Sequence, residues 1–204
     1  IMASRVEEFD EKILVCAKEE FLEKGFADAS LRVIAKNAGV STSTIYTRYS
    51  DKEGLFHFLV EEISEGIREL LYQSLDSFSH SSKKAQEEQI MEYSDSGFSK
   101  IIAYIYEHFS EFKLLVVCSP SGVYQEFLES IVSIDIKYMK KFLQSIESQA
   151  LKEERITEGF LHVVSSAFYS GVFEVVIHEM PIEDARKYIG ELRNFYSSGW
   201  KVYF

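Results

Sequence analysis

The fold of this chain is decided by residues 31–49, which read LRVIAKNAGVSTSTIYTRY. Ala35 is small enough to lie where a second helix crosses the first, and Gly39, four positions later, tolerates the left-handed backbone of a turn. Ile45, six positions beyond the glycine, is apolar and would pack back on the first helix. This spacing predicts a helix-turn-helix, the motif whose second helix enters the major groove of DNA.

The second of these helices begins with short hydroxyl side chains, from Ser41 to Thr44. Serine and threonine are mediocre helix formers, because their hydroxyls compete for backbone hydrogen bonds. Their presence is explained if this face lies close to DNA, where hydroxyls bond phosphates or base edges. A capped surface helix in an unrelated bundle is the alternative, and the spacing alone favours neither.

Helix-capping residues divide the first part of the chain into four helices. Gly25 is predicted to end the first one. The next three are predicted to follow N-caps at Ser30, Ser41 and Ser50. The last of them is long, and we expect it to run from Asp51 to about Phe78, with Glu53 in the capping-box position.

The rest of the chain also has helical periodicity, and nothing in it reads as a strand pair. After a polar loop at 77–82, helices are predicted at about 83–108, 111–118, 121–149, 156–179 and 182–203. A serine- and glycine-containing stretch at 94–97 is a candidate break in the first of them. The two prolines, Pro120 and Pro181, are predicted at helix starts, where the missing N–H costs little.

The net charge of −11 is unevenly distributed. Residues 25–52 contain four basic and two acidic residues, whereas residues 56–204 contain 14 basic and 23 acidic ones. The acidic part would repel DNA while the short segment tolerates it, so the charge orients the molecule more than it drives binding. Taken alone, the charge balance argues against binding to nucleic acid.

Enzyme, metal, cofactor and membrane functions are disfavoured. The sequence has no Gly-rich phosphate loop, nucleophile elbow or HExxH motif, so neither an enzyme nor a cofactor is predicted. Two pairs at i, i+4 spacing could each present two metal ligands: Glu158/His162 and Glu174/His178. Their histidines fall on nearly opposite helix faces, so no metal site is predicted. Two distant cysteines and the lack of an eighteen-residue apolar run predict a cytoplasmic protein without a membrane span.

The N-terminal residues resemble the DNA-binding domain of the TetR family. The similarity rests on Gly25-Phe26, SLRVIA at 30–35, AGVS at 38–41, TIYTRY at 44–49 and KEGL at 52–55, and it covers residues 6–55 almost without a gap. The rest of the chain is similar to that family only in length and helix count. The resemblance implies a homodimeric repressor that releases its operator when a small molecule binds the C-terminal domain.

The predicted architecture is therefore all-α, with about nine helices. An N-terminal three-helix helix-turn-helix domain is expected to bind DNA and to occupy residues 1–52. A C-terminal helical regulatory domain, residues 53–204, is expected to bind the ligand and to form the dimer.

The resemblance also implies individual DNA contacts. Phosphate contacts are implied for Ser30, Arg32, Thr44, Tyr46 and Lys52, and base contacts for Thr42, Ser43 and Thr47, with Ser41 and Arg48 on the same surface. The family often has lysine or arginine where this chain has Thr42. That departure removes a candidate guanine reader, and we expect weak intrinsic affinity because phosphate neutralisation supplies much of the binding energy.

The last two predicted helices are apolar on more than one side. The first contains Phe160, Leu161, Val163, Val164, Ala167, Phe168, Val172, Val175 and Val176, and the second contains Tyr188, Ile189, Leu192, Phe195, Tyr196 and Trp200. One stripe is enough for a helix that is buried on a single side. The surplus predicts a homodimer interface, with Gly171 permitting close approach, and the alternative is a central helix in a monomer.

Aromatic residues in the segment that holds the family's pocket are the candidates for ligand binding. They are Tyr93, Tyr104, His108, Phe112, Tyr124, Phe127, Phe168 and Tyr169. Such walls suit an apolar or aromatic effector, although ordinary core packing would also explain each residue. We expect a ligand-responsive repressor of a palindromic operator, in which the effector tilts the helix at 51–78. The alternatives are an activator of the same fold, or a small-molecule-binding protein or enzyme without DNA binding.

Overall fold

The computed structural model describes the backbone of residues 2–203 and the side chains of residues 10–86 and 96–203. Over residues 2–203 the backbone forms α-helices and one π-helical turn, and no segment of that range is a strand. The predicted all-α class is confirmed. The chain divides into two compact units, a first unit of residues 1–65 and 108–124 and a second unit of residues 66–107 and 125–204.

The helices follow one another with short connections. In chain order they are α1 (Met2–Asp28), α2 (Leu31–Ala38), α3 (Thr42–Tyr49), α4 (Lys52–Ser79), α5 (Lys83–Glu107), α6 (Phe109–Lys113), the π-helical turn (Leu114–Cys118), α7 (Val123–Ser145), α8 (Gln149–Lys152), α9 (Glu158–Ile177) and α10 (Ile182–Trp200). The predicted helices 111–118 and 121–149 are each divided in the structure. At 94–97, α5 continues without the break that the sequence suggested.

The core of the first unit is built from the apolar face of α1. Ile13, Ala17 and Phe21 are fully buried there, at the spacing of one helix face. The ring of Phe21 packs edge-on against Phe56 of α4, with 5.3 Å between the ring centroids. An ion pair of 2.7 Å between Lys18 and Glu111 also joins α1 to α6. The helix-turn-helix therefore rests on a rigid apolar base.

Two predicted helix boundaries are corrected by the structure. Gly25 interrupts α1 with a non-helical backbone, φ 72° and ψ 168°, but one further turn follows to Asp28. The N-cap of α4 is Asp51 rather than Ser50, because the Asp51 carboxylate accepts a 2.7 Å hydrogen bond from the Gly54 amide. Ser50 instead ends α3, with φ 70° and its N–H donated to the carbonyl of Tyr46. The predicted Ser50–Glu53 capping box is wrong.

The core of the second unit is formed by α9 with α10, α7 and α5. Leu161, Val172 and Val176 of α9 are at most 1% exposed. At Gly171 a Cβ atom would lie 3.1 Å from Leu192, and the Tyr188 hydroxyl donates a 3.0 Å hydrogen bond to the Gly171 carbonyl. The close approach predicted at this glycine is thus made by α10 of the same chain.

One described helix, α9, is long and apolar enough to cross a membrane by length and composition alone. Core helices meet the same criterion, so this is weak evidence for a span. The predicted absence of a membrane span stays a prediction.

Candidate functional site

The turn between α2 and α3 has the geometry that the sequence predicted. Gly39 ends α2 in the left-handed region, at φ 70° and ψ 28°. The Val40 amide donates a 2.9 Å hydrogen bond to the Ala35 carbonyl, which closes the end of the helix. Ala35 is 3% exposed and Ile45 is fully buried. Burial of an isoleucine side chain contributes about 1.5–3 kcal/mol, so Ile45 holds α3 firmly against α2.

The hydroxyl groups at the start of α3 form a local network. The Ser41 Oγ accepts a 3.2 Å hydrogen bond from the Thr44 amide and lies 2.6 Å from the Ser43 Oγ and 2.9 Å from the Thr44 Oγ1. The Thr47 hydroxyl donates to the Ser43 carbonyl at 2.8 Å. Ser41, Ser43 and Thr47 are exposed. The network therefore caps the helix and leaves hydroxyl oxygens on its outer surface.

The remaining predicted contacts differ in exposure. Tyr46 is 53% exposed on α3, and Arg32 is exposed near the start of α2. Thr42 and Ser30 are half-buried. The side chain of Ser30 makes no capping bond, and its amide donates instead to the Glu20 carboxylate at 3.0 Å. Glu20 thus helps to place the start of α2, a role that the sequence did not indicate.

Arg48, predicted near the bases, has an intramolecular partner. Its guanidinium forms an ion pair with Asp10 of α1, and both side chains are partly buried. The Tyr49 ring, 8% exposed, packs edge-on against Phe58, and burial raises the pKa of the Tyr49 phenol. Tyr49 therefore packs inside the domain. Arg48 joins α3 to α1.

Lys52 also has intramolecular partners. Its ammonium donates to the carbonyls of Phe26, Ala27 and Ala29 at 2.7, 3.0 and 3.1 Å, and it lies 4.6 Å from the centroid of the Phe26 ring. An ammonium has three donors, so this arrangement uses all of them. Lys52 joins the start of α4 to the end of α1, and a phosphate contact would require it to exchange some of these bonds.

Residues 13–59 match the family model for bacterial regulatory proteins of the tetR family. These residues are therefore similar to the DNA-binding domain of that family. The matched segment begins at Ile13 in α1, includes the complete helix-turn-helix and ends at Leu59 in α4. The resemblance predicted from the sequence is confirmed.

The whole chain resembles solved structures that carry the same domain. A transcriptional regulator of the TerR/AcrR family from Aquifex aeolicus VF5 is 18% identical over 92% of this chain and 99% of its own, with a TM-score of 0.60. A TetR-family regulator from Mesorhizobium loti MAFF303099 is 16% identical over 95% and 98%, with a TM-score of 0.58. NalD from Pseudomonas aeruginosa, the secondary repressor of the MexAB-OprM multidrug efflux pump, is 17% identical over 92% and 96%, with a TM-score of 0.58. At these identities the likeness shows the fold.

The second unit contains a cavity of about 400 Å³. Its wall is mainly apolar and aromatic and is formed by α4, α5, α7, α9 and α10. Phe168 and Tyr169, two of the predicted pocket residues, belong to this wall. Trp200, the one tryptophan in the sequence, also belongs to it. A cavity of this size and lining can enclose a small organic molecule.

The other predicted pocket residues lie elsewhere. Tyr93 lies outside the residues whose side chains the structure describes. The remaining five do not line this cavity: Tyr104, His108, Phe112, Tyr124 and Phe127. Phe112 is fully buried in the first unit, and Phe127 packs against Phe173 at 5.4 Å between ring centroids. These two residues therefore belong to the ordinary core, which was the alternative to ligand binding.

Polar groups interrupt the apolar wall at a few positions. Asp135 of α7 accepts hydrogen bonds from the Ser165 hydroxyl at 2.6 Å and from the Tyr169 hydroxyl at 3.2 Å. Burial raises the pKa of the Asp135 carboxyl, against the opposing effect of these two donors. The sequence analysis missed Asp135, because nothing in the sequence distinguishes this aspartate from those exposed on other helices.

Apolar side chains also remain exposed on the last two helices. Val163 of α9 is 65% exposed and Phe195 of α10 is 76% exposed.

The Glu158/His162 pair is not formed, since Glu158 contacts Lys140 at 3.0 Å and His162 contacts Glu129 at 2.9 Å. Among the described residues, no group of three metal-ligating side chains is close enough to hold an ion.

Proposed function

We propose that this protein is a ligand-responsive transcriptional repressor that binds a palindromic operator as a homodimer in the cytoplasm and catalyses no reaction. The TetR-family domain and the regulator fold support a transcriptional regulator. The observation that carries the proposal is the left-handed turn at Gly39 between the buried Ala35 and Ile45, which leaves α3 with an exposed polar surface. Such a surface on the second helix of the motif is what a DNA major groove accepts.

The proposed DNA contacts fall into two groups. Arg32, Ser43, Tyr46 and Thr47 are exposed and can reach DNA without breaking an ion pair between described side chains. Arg48 and Lys52 are bound within the domain. We assign phosphate contacts to Arg32 and Tyr46 and base contacts to Ser43 and Thr47, with Ser30, Ser41, Thr42 and Thr44 at the edge of the same surface.

The homodimer is proposed to form through α9 and α10. Their exposed Val163 and Phe195 would be removed from water in a two-fold interface. Two protomers are needed because a palindromic operator offers its half-sites about one helical turn apart. We propose that residues 1–52 bind DNA and that residues 53–204 bind the ligand and form the dimer.

The ligand is proposed to act through α4, which contributes residues to both compact units. Leu71, Leu75 and Phe78 of this helix line the cavity. An occupant that binds one position of α4 more tightly than another would shift the population of states, and with it the affinity for DNA.

The DNA-binding surface is tested by gel shift with the DNA upstream of the protein's own gene. We expect the double variant Arg32→Ala/Tyr46→Ala to bind at least about tenfold more weakly, because each lost charge-assisted or phosphate bond costs on the order of 1 kcal/mol or more. Arg186→Ala, an exposed arginine of α10, is the matched control and should bind like the wild type. Equal binding by the double variant and the wild type would show that the assigned face is wrong.

A small-molecule-binding protein of the same fold without DNA binding is the second candidate, and the cavity and the net charge of −11 favour it. Affinity for duplex DNA measured at several salt concentrations separates the two. A logarithmic decrease of affinity with salt requires phosphate contacts. If the protein does not bind duplex DNA even at low salt, the small-molecule-binding protein is the function that remains.

A further inference from the structure

The cavity of the second unit has a carboxyl group in its wall whose hydrogen-bond donors, among the described side chains, are both hydroxyls. Asp135 lies in its wall and accepts hydrogen bonds from Ser165 and Tyr169, whose residues are each 4% exposed. Both donors are neutral, and within the described side chains Asp135 forms no ion pair. A carboxylate has about four positions at which it can accept a hydrogen bond, so the two donors leave it incompletely satisfied.

A carboxyl group in this position is costly for the protein alone. Burial of an ionised group without a counter-charge is strongly unfavourable, and an apolar or amide side chain would serve packing better. The raised pKa of Asp135 has the same cause. The cost is removed if the cavity's occupant supplies the missing positive charge.

A second buried acceptor lies in the same wall. Gln86 is 2% exposed, and its Nε2 donates to the carbonyls of Phe78, Ser79 and Ser81 at 3.3, 3.1 and 3.0 Å. These three carbonyls fix the orientation of the amide, because the reverse orientation would place oxygen against oxygen. The Oε1 atom of Gln86 is buried and accepts no hydrogen bond from any described residue. Asp135 and the Oε1 atom of Gln86 are thus two acceptors of the wall that a donor on an occupant would satisfy.

The aromatic part of the wall suits a cation as well. Tyr138, Phe168, Tyr196 and Trp200 all line the cavity. Faces of such rings attract positive charge, and cations of the protein already lie over rings of this wall. Lys141 lies 4.6 Å from the centroid of Tyr138, and Arg193 lies 5.4 Å from that of Phe98.

We propose that the cavity binds an apolar molecule that carries a protonated amine, and that Asp135 is the counter-ion of this amine. An ammonium has three donors and no acceptor, which matches the acceptors of the wall. Binding of the amine to the cavity does not involve DNA. The inference rests on the proposed ligand response only where it makes the amine an effector of DNA binding. The opposing chemistry is an organic acid held by Lys141, Arg193 and Lys201, which also line the cavity. Lys141 and Lys201 are exposed, and the half-buried Arg193 lies over the Phe98 ring. The Asp135 carboxyl is instead held by two residues that are each 4% exposed, so this fixed acceptor favours the amine.

The proposal is tested with three probes of equal chain length, n-decylamine, n-decanol and n-decanoate. Trp200 is the one tryptophan and lies in the wall, so its fluorescence reports on binding. We expect the wild type to bind decylamine at least about tenfold more tightly than decanol or decanoate, as one charge-assisted hydrogen bond allows. Asp135→Asn should remove this preference and leave decanol binding unchanged within about twofold. Asp184→Asn, an exposed acid of α10 outside the wall, is the matched control and should bind like the wild type.

Three results would overturn the proposal: tighter binding of decanoate than of decylamine, equal loss of all three probes in Asp135→Asn, or no binding of any probe by folded wild-type protein. The wild type alone shows whether decylamine is preferred to decanol and decanoate, so the proposal can be tested even if Asp135→Asn does not fold. Binding of decylamine that leaves the gel shift unchanged would keep the assignment of Asp135 and contradict the ligand response. Failure to bind decylamine with DNA binding intact would contradict the assignment of Asp135 alone.

Discussion

At the scale of single residues, Lys52 shows how one basic side chain can stabilise a domain through contacts within it. Its ammonium joins three carbonyls at the end of α1 to the start of α4. The carbonyls at a helix end otherwise lack partners, and a cation there also opposes the negative end of the helix dipole. The sequence analysis assigned Lys52 to DNA because a basic residue at this position resembles the family pattern. Its partners lie more than twenty positions away in the sequence, and no local pattern indicates them.

We expect Lys52→Met to lower the free energy of unfolding by roughly 1–3 kcal/mol, since hydrogen bonds to a charged group are lost while the aliphatic stem is kept. Urea denaturation followed by circular dichroism measures this. Lys36→Met, at an exposed position of α2, is the matched control and should change stability by less than about 0.5 kcal/mol. Equal stabilities of the two variants would mean that the contacts of Lys52 contribute nothing to folding.

At the scale of elements, the helix-turn-helix was predictable because its signals are local. The left-handed turn needs Gly39, the crossing needs a small Ala35 and the packing needs an apolar Ile45, and all three requirements are read from neighbouring positions. The boundary between α3 and α4 was harder to predict, since Ser50 and Asp51 are both good N-cap residues and only the fold decides between them. Likewise, the ion pair of Arg48 joins residues from two helices that no sequence spacing relates.

Gly39→Ala is expected to destabilise the domain by about 1–2 kcal/mol, because an alanine at φ 70° places its Cβ against the following carbonyl. No neighbouring atom lies within 4 Å of that Cβ, so the effect isolates the backbone strain. Gly159→Ala in α9, which is helical and has no neighbour closer than 4.0 Å, is the control. It should leave the thermal midpoint unchanged or raise it slightly. A Gly39→Ala midpoint equal to that of the control would contradict a left-handed turn.

At the scale of the whole molecule, apolar exposure on α9 and α10 is the feature that packing within one chain leaves unexplained. Phe195 and Val163 are among its most exposed large apolar side chains. The sequence predicted a surplus of apolar faces, and part of that surplus proved to be the contact of α9 with α10 around Gly171. The residues that line the cavity were predicted less well, because aromatic side chains occur both in walls and in solid core.

The variant Val163→Glu/Phe195→Glu is expected to elute as a monomer in gel filtration with light scattering, whereas the wild type elutes as a dimer. Each glutamate would place an unpaired charge in the proposed interface, which costs several kcal/mol. Val15→Glu, at a position of α1 that is 49% exposed, is the control and should remain dimeric. A dimeric double variant would locate the interface elsewhere.

The ion pair of Arg48 with Asp10 and the three carbonyl bonds of Lys52 have a consequence for how the protein would respond to ionic strength. Of the four basic residues between 25 and 52, these two are neutralised or satisfied inside the domain, and Arg32 and Lys36 remain at the surface. Few condensed counterions would then leave DNA for each protomer that docks. A complex held by so few cations would lose affinity as a cell's salt content rises with osmotic stress, but less steeply than one with about six to ten phosphate contacts.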